Sequence, residues 1–159
     1  METGMDRETA SRTDDHQALR LWLRLLTCSQ IIESEVRARL RERFDTTLPR
    51  FDLMSQLWRY PGGLKMNELS RHLMVTGGNV TGIVDPLEKG GLVERMPEPA
   101  DRRAYRVRLT RAGRRAFAEM ARAHEGWIVE LLGGLTRKEQ AETYRLLARM
   151  KQVTMEAKV

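Results

Sequence analysis

Apolar residues recur at helical spacing along most of the chain and at strand spacing in one short stretch. Leu19, Trp22, Leu23, Leu26, Ile32, Val36, Leu40 and Phe44 approximate a single stripe, and no glycine or proline interrupts 14–44. That pattern predicts a helix of roughly 45 Å. Leu25 and Ile31 fall outside the stripe, so the helix carries more apolar surface than one contact needs, and subunit association is the expected outlet. Residues 1–13 lack periodicity and are expected to form a frayed tail. Asp45-Thr46-Thr47-Leu48-Pro49 reads as a break and restart, with Thr47 as cap and Pro49 in the first turn, where its missing N–H costs nothing. Phe51, Leu53, Met54, Leu57 and Trp58 then mark a short helix that ends at Pro61-Gly62-Gly63. Residues 64–66 suit a brief strand. Residues 67–74 suit a second short helix buried through Leu69 and Leu73, with Met66 beside them.

The stretch 76–91, TGGNVTGIVDPLEKGG, organises what surrounds it. Thr76 is a good N-cap. Val80, Ile83, Val84 and Leu87 fall at i, i+3, i+4 and i+7, one apolar stripe, and Gly90-Gly91 can end a helix in the left-handed conformation. The opposite face holds Gly78, Asn79, Thr81, Gly82 and Asp85, small or polar side chains that let a backbone sit deep in a polar partner. Gly82 and Pro86 break helix rules four residues apart. A proline ring clashes with the carbonyl at i−4, here the Gly82 carbonyl, so the pair reads either as one bend or as two tolerated residues. Residues 92–96 (LVERM) and 104–110 (AYRVRLT) alternate apolar with charged side chains, the sign of half-buried strands. Between them, PEPADRR reads as a hairpin loop whose tip presents Arg102 and Arg103. Two short helices joined by a glycine-containing turn, followed by an arginine-bearing hairpin, describe a winged helix-turn-helix.

Thr110 opens another helix, through Phe117, Met120, Ala121, His124, Trp127, Ile128 and Leu131, broken at Gly133-Gly134. Thr136 with Glu139 three residues on forms a capping box for a last helix, expected to bury Tyr144, Leu147 and Met150 or Val153. The expected fold is mainly α with a small β-wing. A winged helix-turn-helix domain, 48–109, is flanked by a helical dimerisation region, 14–47 and 110–159.

Charge sharpens this picture. The chain carries 41% hydrophobic and 31% charged residues and a net charge of +6, enough apolar content for a core. Residues 1–64 balance at 10 basic and 10 acidic, whereas 65–115 hold 11 basic and 6 acidic and 116–159 hold 7 and 6. An excess concentrated on the proposed winged helix is the electrostatic footprint of a polyanion binder. No apolar run approaches the ~20 residues that span a bilayer, and the N-terminus has no signal-peptide pattern. One cysteine excludes an intramolecular disulfide framework. A cytoplasmic location without membrane association is expected.

LPRFDLMSQL (48–57), NELSRHLMVTGGNVTGIVDPLEKGGLVER (67–95) and ADRRAYRVRLTRAG (100–113) resemble the MarR family of bacterial transcription regulators. With the flanking helices, the resemblance covers nearly all of the chain after residue 14. It implies an obligate homodimer that places two recognition helices, here 77–90, in successive major grooves of a palindromic operator on double-stranded DNA. Each wing, 97–104, would reach a flanking minor groove. On this resemblance Arg103 inserts into the minor groove, and Arg102 and Asp101 brace the wing or touch phosphate. Thr76 stands where a serine is common, and Pro99 where an aspartate is usual. The residues agree with this reading: Asn79 can pair with an adenine edge and Thr81 with a base or phosphate, while Gly78 and Gly82 permit close approach.

The resemblance also implies a small-molecule effector, an aromatic carboxylate or its coenzyme A thioester, in a cleft between the dimerisation helices and the DNA-binding lobe. Trp22, Cys28, Trp58, His124 and Trp127 are the cleft candidates, with Arg24, Arg37 and Arg59 available to a carboxylate; taken singly, each tryptophan fits a plain core better than a cleft. Repression relieved by ligand is the expected mode. Two alternatives stand beside it. One is redox sensing through Cys28, which has no adjacent lysine or arginine to favour thiolate. The other is a constitutive basic DNA binder with no effector. An enzyme is not expected, because His16, His72 and His124 are far apart and no phosphate-binding loop, GxSxG or CxxC occurs. No cofactor is implied, and His16 and His124 specify no metal site by spacing.

Overall fold

The computed structural model describes residues 5–73 and 77–158, with side-chain surroundings given for 16–73 and 79–158. The elements run α1 (Met5–Phe44), α2 (Leu48–Arg59), β1 (Leu64–Lys65), α3 (Met66–His72), α4 (Gly77–Lys89), β2 (Val93–Glu98), β3 (Asp101–Leu109), α5 (Arg111–Leu131) and α6 (Arg137–Glu156). The chain divides into two compact units, Met1–Ala123 and His124–Val159, the boundary falling within α5.

Helix α1 begins at Met5, so residues 5–13 are helical where the sequence suggested a frayed tail. The physical reason is the absence of any glycine or proline after Gly4 until Pro49: nothing stops the helix from propagating, and its 40 residues span about 60 Å. Among its described side chains Val36 and Leu40 are buried, whereas Leu19, Leu21, Trp22, Leu23 and Ile31 stand exposed. Asp45 adopts a positive φ of 48°, turning the chain into α2. There Thr47 caps the helix, its hydroxyl accepting from Arg50 N–H at 3.4 Å, with Pro49 in the first turn.

The core of the first unit forms where α2, α3, α4 and the sheet meet. Leu53, Met54, Leu57, Leu69, Val80, Val84, Val93 and Val107 are essentially inaccessible, and each such side chain contributes about 1.5–3 kcal/mol through burial. The sheet is antiparallel in the order β1-β3-β2. Val93 lies opposite Leu109, Glu94 opposite Arg108, and Arg95 opposite Val107. This register sorts the alternating sequence onto two faces. Val93, Val107 and Leu109 turn to the core. On the other face Arg108 Nε meets Glu94 at 2.5 Å, and Arg106 Nε meets Glu98 at 2.7 Å.

In α6 the capping box at Thr136 and Glu139 forms as expected. The Thr136 backbone N–H donates to the Glu139 carboxylate at 2.8 Å and holds its pKa below the ordinary value. The expected burial does not occur. Tyr144, Leu147 and Val153 are all exposed, Met150 is half-buried, and α6 has no buried residue. An apolar stripe on a helix buries only where a second surface covers it, and the second unit does not supply one.

Candidate nucleic-acid interface

Helix α4 is fixed from below and open above. Val80, Val84 and Leu87 are buried, while Asn79, Thr81 and Gly82 are exposed. A Cβ built on Gly82 would meet nothing within 4 Å, so no packing need explains a glycine in mid-helix. Pro86 lies within the helix. The helix closes where Leu92 N–H bonds the Leu87 carbonyl, with Gly91 at φ +72° taking the left-handed turn.

The Arg95 side chain ties α4 to the wing. Arg95 on β2 donates from one terminal nitrogen to Asp85 at 2.5 Å and from the other to Glu88 at 2.6 Å. Its guanidinium also lies 5.3 Å from the Tyr105 ring centroid. The Asp85 bond, first among these contacts, raises the Arg95 pKa above its ordinary value. Asp85, which the sequence placed on the polar face of the helix, therefore faces the wing. No local pattern marks Arg95, because its partners lie seven and ten residues back on another element.

The wing differs from its expected form at the tip. The connection is a two-residue turn at Pro99-Ala100, and Asp101, Arg102 and Arg103 already belong to β3. Proline at the second position of a turn is preorganised by its fixed φ, so Pro99 starts the reversal early, and Asp101 pairs with Glu98. Arg102 and Arg103 are exposed, and the Asp101 carboxylate accepts from Arg103 N–H at 3.0 Å.

Ion pairing redistributes the charge counted along the sequence. Arg95, Arg106 and Arg108 are matched by Asp85, Glu88, Glu94 and Glu98. The excess of 65–115 therefore rests on the other basic residues, Arg102 and Arg103 at the wing among them.

The remaining site residues lie as follows. Thr76 lies outside the described residues; Gly78 is the second residue of α4, and its surroundings are likewise outside them. In the first unit Trp22 and Cys28 are exposed on α1. Six residues apart on a helix, they are separated by about 120° around its axis. Trp58 on α2 is partly exposed, with Arg114 stacked 4.5 Å from its ring centroid and Phe117 at 5.3 Å. In the second unit His124 is half-buried and Trp127 buried. Among the described residues no cluster of three or more potential metal ligands occurs, and no helix is long and apolar enough to cross a membrane.

Comparison with known proteins gives concordant matches. The model of the MarR family matches residues 46–105. The transcriptional activatory protein BadR of Rhodopseudomonas palustris is 29% identical, over 84% of this chain and 77% of BadR. A crystal structure of a MarR family transcriptional regulator from Silicibacter pomeroyi superposes with a TM-score of 0.74 at 30% identity, covering 95% of this chain and 99% of that one. Streptococcus pneumoniae FabT, crystallised in complex with DNA, superposes with a TM-score of 0.72 at 25% identity, covering 88% of this chain and 99% of its own.

Proposed function

Because the chain belongs to the MarR family of transcriptional regulators, we propose that it acts as a homodimeric, ligand-responsive repressor on a palindromic operator. That it is a DNA-binding transcription regulator follows from the family. The finer reading rests above all on one observation: α4 presents Asn79, Thr81 and Gly82 to solvent while Arg95 locks it to a wing that carries exposed Arg102 and Arg103. In this reading Thr76, Gly78, Asn79, Thr81 and Gly82 meet the major groove. Arg103 enters the minor groove, Arg102 touches phosphate, and Asp101 braces the turn. The protein acts in the cytoplasm, where its DNA is.

Dimerisation is supported by the apolar side chains that the single chain leaves exposed, Leu19, Trp22, Leu23 and Ile31 on α1 and Tyr144, Leu146, Leu147 and Val153 on α6. Exposed apolar side chains grouped on one helix mark an association site, and a second copy of the chain would cover those on each helix. Residues 14–47 and 110–159 then serve as the dimerisation region around the DNA-binding segment 48–109. The effector is a small aromatic acid or its thioester, and its binding releases DNA; Trp22, Cys28 and Trp58 are the candidate contacts on the first unit, and His124 and Trp127 those on the second. Exposed Cys28 supports oxidation as the second reading of the release signal.

Arg103→Ala is expected to weaken DNA binding about tenfold near physiological salt and to flatten the log–log salt dependence by about one unit for each bound protomer. Its melting temperature should stay unchanged, because Arg103 is exposed. Fluorescence anisotropy over a salt series reads both quantities; an unchanged slope would remove Arg103 from the interface.

A further inference from the structure

On the first unit, the C-terminal part of α1, the α1–α2 connection, the first turn of α2 and the middle of α4 enclose a groove of about 590 Å³. Its lining includes Arg37, Arg41, Arg50, Thr46, Gly82 and Ile83, and among the described residues no carboxylate lines it. Arg37 has a long ion pair with Glu33 at 3.6 Å, both side chains more than half exposed. Among the described residues neither the Arg41 nor the Arg50 side chain pairs with an acid. The neighbouring α1 arginine, Arg39, is satisfied by Glu35 one turn back at 2.7 Å. Arg37 and Arg41, by contrast, stand at i and i+4, where like charges repel. Folding alone gives no reason to gather three guanidinium groups around one depression.

The position of the groove indicates what fills it. At 100° per residue, the buried Val80, Val84 and Leu87 define the underside of α4, Gly82 lies near the opposite, exposed side, and Asn79 lies between Gly82 and Ile83. Asp85 and Glu88, which hold the wing, fall on one flank of that exposed side. Ile83, which lines the groove together with Gly82, falls on the other. A helix seated in a major groove is bordered by two sugar-phosphate strands, and phosphate contacts set its register. The wing attends to one border. We propose that the Arg37–Arg41–Arg50 groove seats phosphate of the operator backbone along the other border, with Arg41 and Arg50 as its main contacts. This rests on the reading of α4 as the DNA-recognition helix.

The test is an anisotropy titration of the full chain over a range of salt, on an operator selected from random DNA and on a scrambled duplex. The double variant Arg41→Gln/Arg50→Gln is expected to bind about tenfold to a hundredfold more weakly near physiological salt. Its salt slope should be shallower by about two units per bound protomer. The loss should be equal on both duplexes, because phosphate contacts carry no sequence information. The double Lys variant should retain most of the slope, since a point charge suffices for phosphate. An unchanged slope in the double Gln variant, with its melting temperature and DNA binding intact, overturns the groove assignment and leaves the regulatory reading standing. Loss on the operator alone overturns it in favour of base reading. Saturable heat from benzoate or inorganic phosphate without DNA, abolished in the variant whose salt slope is unchanged, assigns the groove to a small anion instead. A wild-type chain that binds neither duplex overturns both readings.

Discussion

Replacing Gly113 by alanine is expected to destabilise the protein by about 3 kcal/mol, at the upper end of the usual cost of overpacking, and to lower its melting temperature by about 10 °C. Gly113 sits in the first turn of α5, where a Cβ would stand 1.9 Å from the Leu92 carbonyl oxygen and 2.8 Å from its carbon. The obstruction is backbone, so no side-chain rotation relieves it. The same Leu92 carbonyl accepts from Thr110 N–H at 3.0 Å. Thr110 in turn donates its hydroxyl to the Gly91 carbonyl at 2.7 Å and accepts from Gly113 N–H at 2.9 Å. Moving Leu92 therefore strains the end of α4, the start of β2 and the cap of α5 together, and DNA affinity should fall with stability. Gly126→Ala provides the contrast within the same helix: a Cβ there meets nothing within 4 Å, and alanine's higher helix propensity should leave stability unchanged or raised by up to about 1 kcal/mol. Equal melting temperatures for the two variants would contradict the packing described at Gly113.

Arg95→Ala is expected to cost about 2 kcal/mol and to weaken operator binding beyond what the loss of one positive charge explains. The partners Asp85 and Glu88 are partly solvated, with side chains 49% and 39% exposed, so each ion pair is discounted to the surface range of about 0.2–1 kcal/mol. The cation–π contact with Tyr105 and the packing of the Arg95 stem supply the rest. Arg95→Met should recover part of the loss, because Arg95 Nε is buried without a hydrogen-bond partner, and an unsatisfied buried donor is itself costly. Chemical denaturation separates the three proteins by stability. If Arg95→Ala unfolds like the wild type and binds DNA unchanged, α4 and the wing are not coupled through this residue.

What the sequence disclosed was mostly local. The stripe Val80-Ile83-Val84-Leu87, buried but for half-buried Ile83, the alternation in 92–96 and 104–110, and the caps at Thr47 and Thr136 each depend on spacing within one element. Features that depend on distant partners were less visible. Arg95 reads as one more charged residue of an alternating strand until α4 is brought beside it. Gly113 reads as a small residue near a helix start until the Leu92 carbonyl lies against it. The α6 stripe stays exposed although its spacing predicts burial, because periodicity tells which residues share a face, not what covers that face. The cluster of Arg37, Arg41 and Arg50 was hidden by counting charge in blocks. Residues 1–64 balance only because Glu2, Asp6, Glu8, Asp14 and Asp15 precede the basic stretch, and an average over sequence has no knowledge of which charges meet on one surface.

On the proposed dimeric reading two copies of α4 and the wing read DNA symmetrically, and the most direct measurement is selection of binding sites from a random duplex pool by the chain of 159 residues. The expected result is an inverted repeat whose half-site centres lie about one helical turn, roughly 10–11 base pairs, apart. Asn79→Ala should relax the preference at one position of each half-site. Recovery of a single asymmetric half-site, or of no enriched sequence at all, would contradict a dimeric operator-reading regulator.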